Sequence, residues 1–174
     1  MVKARKAVAY RKLERPYTRV SKFREKSYIR TTHTKRVIKF AMGNQNKNYD
    51  TQIDLVASDS LQIRDIAIES ARQTSLRFLE KHIGLNDFFF IVRPYPHHIL
   101  RENPLASGAA ADRFSTGMSH SFGKPIGQAA QIKKGQILVS VYVNKQHLET
   151  AKKAVTRAKH KVPCSCSVRI SENK

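Results

Sequence analysis

Apolar residues in this 174-residue chain fall into short alternating runs separated by two stretches of helical period, and those periods predict its elements. Ile53, Leu55 and Ala57 occupy every second position, which sets one face of a strand against a core. Upstream, Val37, Ile38 and Phe40 predict a short strand, and Gly43, Asn44, Gln45, Asn46, Lys47 and Asn48 predict a turn or loop. Asp59 and Gln62 stand at capping-box spacing, and no Gly or Pro interrupts the chain from Leu61 to Ile83. A helix over 61–83 follows, closed by Gly84 as its C′ residue. Phe88, Phe89, Phe90, Ile91 and Val92 form a continuous apolar run of β formers stopped by Pro94 and Pro96, which reads as a buried strand.

The same rhythm returns downstream. Ile137, Val139, Val141 and Val143 alternate with Leu138, Ser140 and Tyr142, and Asn144 can cap a helix over 145–161. Leu148, Ala151, Val155, Ala158 and Val162 step by three and four along that helix and form its inward face. Lys152, Lys153, Arg157 and Lys159 fall mostly outside it. Pro163 ends the helix, and Cys164, Cys166, Val168 and Ile170 alternate with polar residues as a last strand. Strand, helix and strand thus occur twice, at 53–92 and 137–170. The implied class is α+β, with two helices covering one face of a sheet. Between the units, residues 94–136 hold five of the seven glycines and, at 104–112, a run of small residues. This stretch reads as a long loop with a function or a disordered tip.

Charge changes the picture more than composition does. Lys and Arg number 33 against 13 Asp and Glu, a net +20 with a pI near 10.4, which is the balance of a polyanion binder. With 40% hydrophobic residues the chain can still bury one ordinary core, so a wholly disordered basic tail is excluded. The charge is concentrated: residues 1–47 carry fifteen Lys and Arg against Glu14 and Glu25, whereas residues 48–87 carry a net −3. In the first segment cations interleave with Tyr10, Tyr17, Phe23 and Tyr28, so phosphates can be neutralised while rings stack on bases or staple the segment to the core. Unbound, such a segment repels itself and is expected to order when a polyanion neutralises it. No apolar run approaches the roughly 18 residues needed to cross a bilayer, and the N-terminus lacks the apolar stretch of a signal peptide. A cytoplasmic protein without a membrane partner is expected.

Enzymatic chemistry finds little support. Gly117 and Gly123-Lys124 miss Walker A spacing by one residue, and Pro125 stands where a magnesium-binding hydroxyl belongs. Adjacent His97 and His98 in an extended segment point to opposite faces and cannot grip one ion. His160, Cys164 and Cys166 offer three zinc ligands, but Cys-x-Cys in an alternating strand is more simply two small core residues. No metal, cofactor or catalytic residue is expected.

One motif is far more specific. Arg93-Pro94-Tyr95-Pro96-His97-His98-Ile99-Leu100-Arg101-Glu102-Asn103 is followed by Ala111-Asp112-Arg113, Thr116-Gly117-Met118 and Phe122-Gly123-Lys124-Pro125-Ile126-Gly127. With Tyr10-Arg11, Arg15-Pro16-Tyr17-Thr18-Arg19, Met42-Gly43 and Arg157-Ala158-Lys159, this order resembles the universal large-subunit ribosomal protein family L-sixteen, in its archaeal and eukaryotic L-ten-e branch. The resemblance implies a two-helix, mixed or antiparallel sheet sandwich of α/β-hammerhead type. It divides the chain into a basic rRNA-binding extension at 1–34 and a single α+β domain at 35–174, with a long functional loop at about 101–116. It also implies a non-enzymatic constituent of the large ribosomal subunit, beside the aminoacyl-tRNA site near the peptidyl transferase centre, which helps position tRNA. Partners are then large-subunit rRNA, tRNA in the aminoacyl and peptidyl sites, neighbouring ribosomal proteins and assembly factors.

The rRNA-binding residues expected on this reading are Arg5, Arg11, Lys12, Arg15, Tyr17, Arg19, Lys22, Arg24, Lys26, Arg30, Lys35, Arg36, His97, His98 and Lys124. The tRNA-proximal loop is expected to use Arg101, Glu102, Asn103, Gly108, Asp112 and Arg113, with the two arginines as phosphate-facing anchors. Two other classes compete: a free architectural nucleic-acid binder, which has no need of the Gly/Ala loop, and an enzyme acting on tRNA. The enzyme needs a titratable cluster, for which His97, His98 and Asp112 are the candidates.

Overall fold

A computed structural model describes residues 5–18, 23, 25, 29, 34–103, 108 and 123–172. Among the described residues, eight strands pair into two antiparallel sheets, accompanied by two α-helices. The larger has the order β1-β4-β7-β2-β8, with β1 at Ala41–Gly43, β2 at Thr51–Ala57, β4 at Phe88–Val92, β7 at Ile137–Val143 and β8 at Cys166–Glu172. The smaller has the order β3-β6-β5, with β3 at Leu61–Arg64, β5 at His98–Glu102 and β6 at Lys124–Ile132. Helix α1 spans Asp65–His82 and α2 spans Leu148–Lys159 after a 3-10 turn at Lys145–His147.

The alternating runs end up where their period puts them. Ile53, Leu55, Phe88, Phe90, Val141 and Val143 are fully buried in one cluster with Ala151, Ala154, Val155 and Ala158 of α2 and Ile68, Ala71 and Leu79 of α1. Small residues on α2 let the helices approach closely enough for the Ser75 hydroxyl to donate to the Ala154 carbonyl at 2.9 Å. At Gly43 the backbone turns with φ +88°, and a Cβ there would lie 2.2 Å from the Phe88 carbonyl oxygen. Only glycine fits that crossing of β1 over β4.

Three expectations need correction. Residues Leu61–Arg64 form a strand rather than the first turn of a helix. Leu61 and Ile63 alternate with Gln62 and Arg64, and Gln62, opposite Gln131 of β6, caps nothing. The helix begins at Asp65, whose carboxylate accepts from the Ile66 N–H at 2.8 Å and favours the positive end of the helix dipole. Second, the strand expected over 37–40 is shifted to Ala41–Gly43, since pairing starts where the Val92 N–H donates to the Phe40 carbonyl. Third, much of 94–136 is a hairpin of β5 and β6, and Arg101 and Glu102 are the last residues of β5 rather than loop. The alternation Gln128, Ala130, Ile132 went unread because glycine and proline density masked it. Both sheets are antiparallel throughout the described residues, the second of the two arrangements expected of the sandwich.

Candidate nucleic-acid interface

The face of the small sheet that carries Gln62, Gln131 and His98 is crossed by the N-terminal segment. Register places Gln62 opposite Gln131 and His98 opposite Ala129, so these side chains share one face. The Arg64 guanidinium donates to the Arg5 carbonyl at 2.8 Å, and the Gln62 backbone N–H donates to the Arg11 carbonyl at 2.9 Å. The Gln62 amide donates to the carbonyls of Tyr10 and Lys12, at 3.2 and 2.7 Å, and the Gln131 amide donates to that of Glu14. At the far edge, the Ile99 N–H donates to the Tyr17 carbonyl at 2.9 Å, while the Tyr17 N–H donates to His98 Nδ1 at 2.8 Å. Residues 5–17 thus form a strap from β3 across β6 to β5, tied through its backbone by side chains and backbone N–H groups of the sheet. These protein contacts hold that part of the basic segment on the sheet. Sequence reading missed Gln62, Arg64 and Gln131; their signal was polar positions recurring inside otherwise apolar strands.

Because the backbone does the holding, the side chains of Arg11, Lys12 and Arg15 remain exposed on the outer surface. Lys35, His97 and Lys124 are exposed as well. Arg5 is engaged: its Nε lies 2.7 Å from Glu102 Oε1. The Tyr10 hydroxyl lies 3.5 Å from the other Glu102 oxygen, and burial followed by the charge of Glu102 pushes the Tyr10 phenol up. The Arg101 guanidinium sits 3.8 Å from the centre of the Tyr17 ring, at cation–π distance. The last two residues of β5 are therefore both gripped by the strap. Asn103 follows directly, and Gly108 is exposed with φ +142°. Arg19, Lys22, Arg24, Lys26, Arg30, Asp112 and Arg113 lie outside the described residues.

Besides Arg5 and Tyr17, two more of the expected RNA contacts, His98 and Arg36, have structural partners. His98 is 2% exposed, with its ring inside the protein holding Tyr17 rather than at the surface. Burial first, then the charges of His97 and Arg101, lower its pKa from 6.5 to about 4. A neutral ring is what an Nδ1 acceptor requires. Arg36 lies 3.3 Å from Oδ1 of Asp65, a carboxylate buried to 1% exposure, and supplies the opposite charge that such a group needs. His97 and His98 do face opposite ways, one exposed and one buried. Among the described residues no group of three or more His, Cys, Asp or Glu is placed to hold a metal ion. His160 is exposed, and only the two cysteine sulfurs come together, at 3.4 Å.

The family profile of "Ribosomal protein L16p/L10e" matches residues 12–169. This chain belongs to that family. It is 41% identical over 163 residues to the "Large ribosomal subunit protein uL16" of Archaeoglobus fulgidus, covering 94% of this chain and 90% of the relative. It is 39% identical over 171 residues to the protein of the same name from Methanococcus maripaludis, covering 98% and 95%. Membership makes it a structural, non-enzymatic component of the ribosome. Among the described residues no helix is long and apolar enough to cross a membrane.

Proposed function

We propose that this member of the L16p/L10e family is a constituent of the large subunit that binds large-subunit rRNA beside the aminoacyl-tRNA site and helps position tRNA near the peptidyl transferase centre. The observation that carries the reading is the strap. It turns Arg11, Lys12 and Arg15 outward, where they can neutralise phosphates, and grips Arg101 and Glu102 at the root of the β5–β6 connection. With it go the division into a 1–34 extension and a 35–174 domain of hammerhead type, and phosphate contacts by Arg19, Lys22, Arg24, Lys26, Arg30, Lys35 and Lys124. In the connection, Asn103, Gly108, Asp112 and Arg113 approach the tRNA acceptor end, with Arg101 and Arg113 as anchors. Neighbouring ribosomal proteins and assembly factors complete the surroundings.

The test has two parts. In sucrose gradients of a native lysate the chain should run with the large subunit and stay there through a high-salt wash; release at the top of the gradient counts against the ribosomal placement. Replacing both Arg101 and Arg113 by Ala should weaken tRNA binding or slow late subunit maturation. Wild-type tRNA binding together with wild-type subunit profiles in that variant overturns the role given to the loop.

A further inference from the structure

The Cys164-Ser165-Cys166 motif is absorbed by none of the functions above, and its geometry is specific. The two Sγ atoms lie 3.4 Å apart in an S–H···S contact in which either sulfur can donate. The backbone around them is fixed. Cys166 begins β8 opposite Ala57, the Ser165 carbonyl accepts from the Ser58 N–H at 2.9 Å, and Cys164 follows Pro163 at the end of the α2 turn. Cys166 is buried, whereas Cys164 is half-buried and lines an open surface cavity with Val8, Arg11, Lys12, Leu13 and Asp59. One sulfur can therefore meet a small solute while the other waits behind it in contact.

We infer that Cys164 and Cys166 are a vicinal dithiol that hydrogen peroxide converts to an intrachain disulfide. The thiolate at the cavity attacks the peroxide oxygen, the O–O bond breaks, and, with one proton, water leaves and a sulfenic acid remains. The second sulfur attacks the first, the S–O bond breaks, and the hydroxyl leaves as a second water with the thiol's proton. Two thiols and one peroxide give one disulfide and two waters; the cysteines are oxidised and the peroxide reduced. The sulfurs must close from 3.4 Å to about 2.0 Å. The shared hydrogen bond favours one thiolate of the pair: it draws Cys166 down and, with burial, pushes Cys164 up. Either sulfur can donate in that contact, so a minority of pairs carries the anion on Cys164, and that minority is the one a solute in the cavity can reach. In a reducing compartment such a bond is transient, and a thiol reductant reverses it. The inference does not depend on the RNA-binding reading.

The experiment is hydrogen peroxide titration of the full-length chain, followed by alkylation and intact-mass measurement. The expected result is that both alkylatable thiols disappear together, the mass falls by two hydrogens, the chain stays monomeric and dithiothreitol restores it. Cys166→Ser should stop at a sulfenic or higher acid on Cys164, and Cys164→Ser, left with a buried thiol, should react about tenfold more slowly than wild type or less. Stepwise oxidation of single sulfurs to sulfinic acid in the wild type, formation of intermolecular dimers, or a wild-type rate no faster than that of Cys164→Ser overturns the inference.

Discussion

In the five-stranded sheet, Ile53, Leu55, Phe88, Phe90, Val141 and Val143 reach zero exposure against the alanine-rich face of α2. On the strapped face of the three-stranded sheet, the equivalent layer is Gln62, Gln131 and His98 under thirteen residues, Arg5 to Tyr17, which include a 3-10 turn at Ala7–Tyr10. The first interface is non-directional and gains free energy in proportion to apolar area. The second is a ladder of hydrogen bonds, each of modest net value but costly to leave unmade once buried. An apolar layer can hold a helix but cannot hold a segment with net charge +13 over its first 47 residues, which has little apolar area to offer. Holding such a segment by its carbonyls leaves Arg11, Lys12 and Arg15 exposed to an external polyanion.

Phe90→Ala gives the largest expected effect, because it removes a fully buried ring from the apolar layer and leaves a cavity. It should cost about 4 kcal/mol in global stability, read as a drop in the denaturant midpoint with little change in slope. If a core substitution of this size instead released the strap while the large sheet stayed folded, the two regions would not be the separate layers described here.

The next effect belongs to His98 and depends on pH. Its pKa is about 4 folded and 6.5 as the reference, so between those values the unfolded chain binds a proton that the folded chain does not. The stabilisation is fully present above pH 6.5, and it is lost as pH falls toward 4, by up to about 3 kcal/mol. Urea titrations at pH 7.5 and 4.5 should show the loss in wild type and show less of it in His98→Gln. Equal pH dependence in both chains would mean that the Tyr17 contact does not require a neutral imidazole.

The same contrast explains what was legible in advance. Strands β2, β4 and β7 and both helices were readable because burial imposes a period of two or about 3.6 on apolar side chains. The helix start was misplaced because Asp59 and Gln62 mimic a capping box, and nothing local separates a cap from a polar strand position facing a strap. The hairpin of β5 and β6 was hidden for a related reason. Pairing there is set by partners remote in sequence, such as His98 with Ala129, while glycines and prolines between them read as loop. The cations of the interface were visible as charge; which of them face outward was not, since Arg5 and Arg36 differ from Arg11 only in the carboxylates that folding brings to them.

Gln62→Ala sharpens the comparison further. It removes the amide that serves the Tyr10 and Lys12 carbonyls and leaves the backbone bond to Arg11 in place. A global cost of about 1–2 kcal/mol is expected, with hydrogen-exchange protection lost in residues 99 and 62 at the strap contacts rather than in β2 or β7. Uniform loss of protection across both sheets would show that the strap is part of one cooperative core.

The smallest effect should come from Arg5→Ala. The Arg5–Glu102 pair has a good 2.7 Å contact, but the Arg5 side chain is 52% exposed, so solvent and salt screen most of its attraction. A stability loss below about 0.5 kcal/mol is expected at low ionic strength, vanishing as salt is raised. Its value lies in separating charge from backbone tethering: Arg64 donates to the Arg5 carbonyl, which the substitution keeps. If Arg5→Ala proved as costly as Gln62→Ala and insensitive to salt, the strap would be held at its start by the ion pair. The idea that its backbone does the holding while its cations stay outward would then fail at that end.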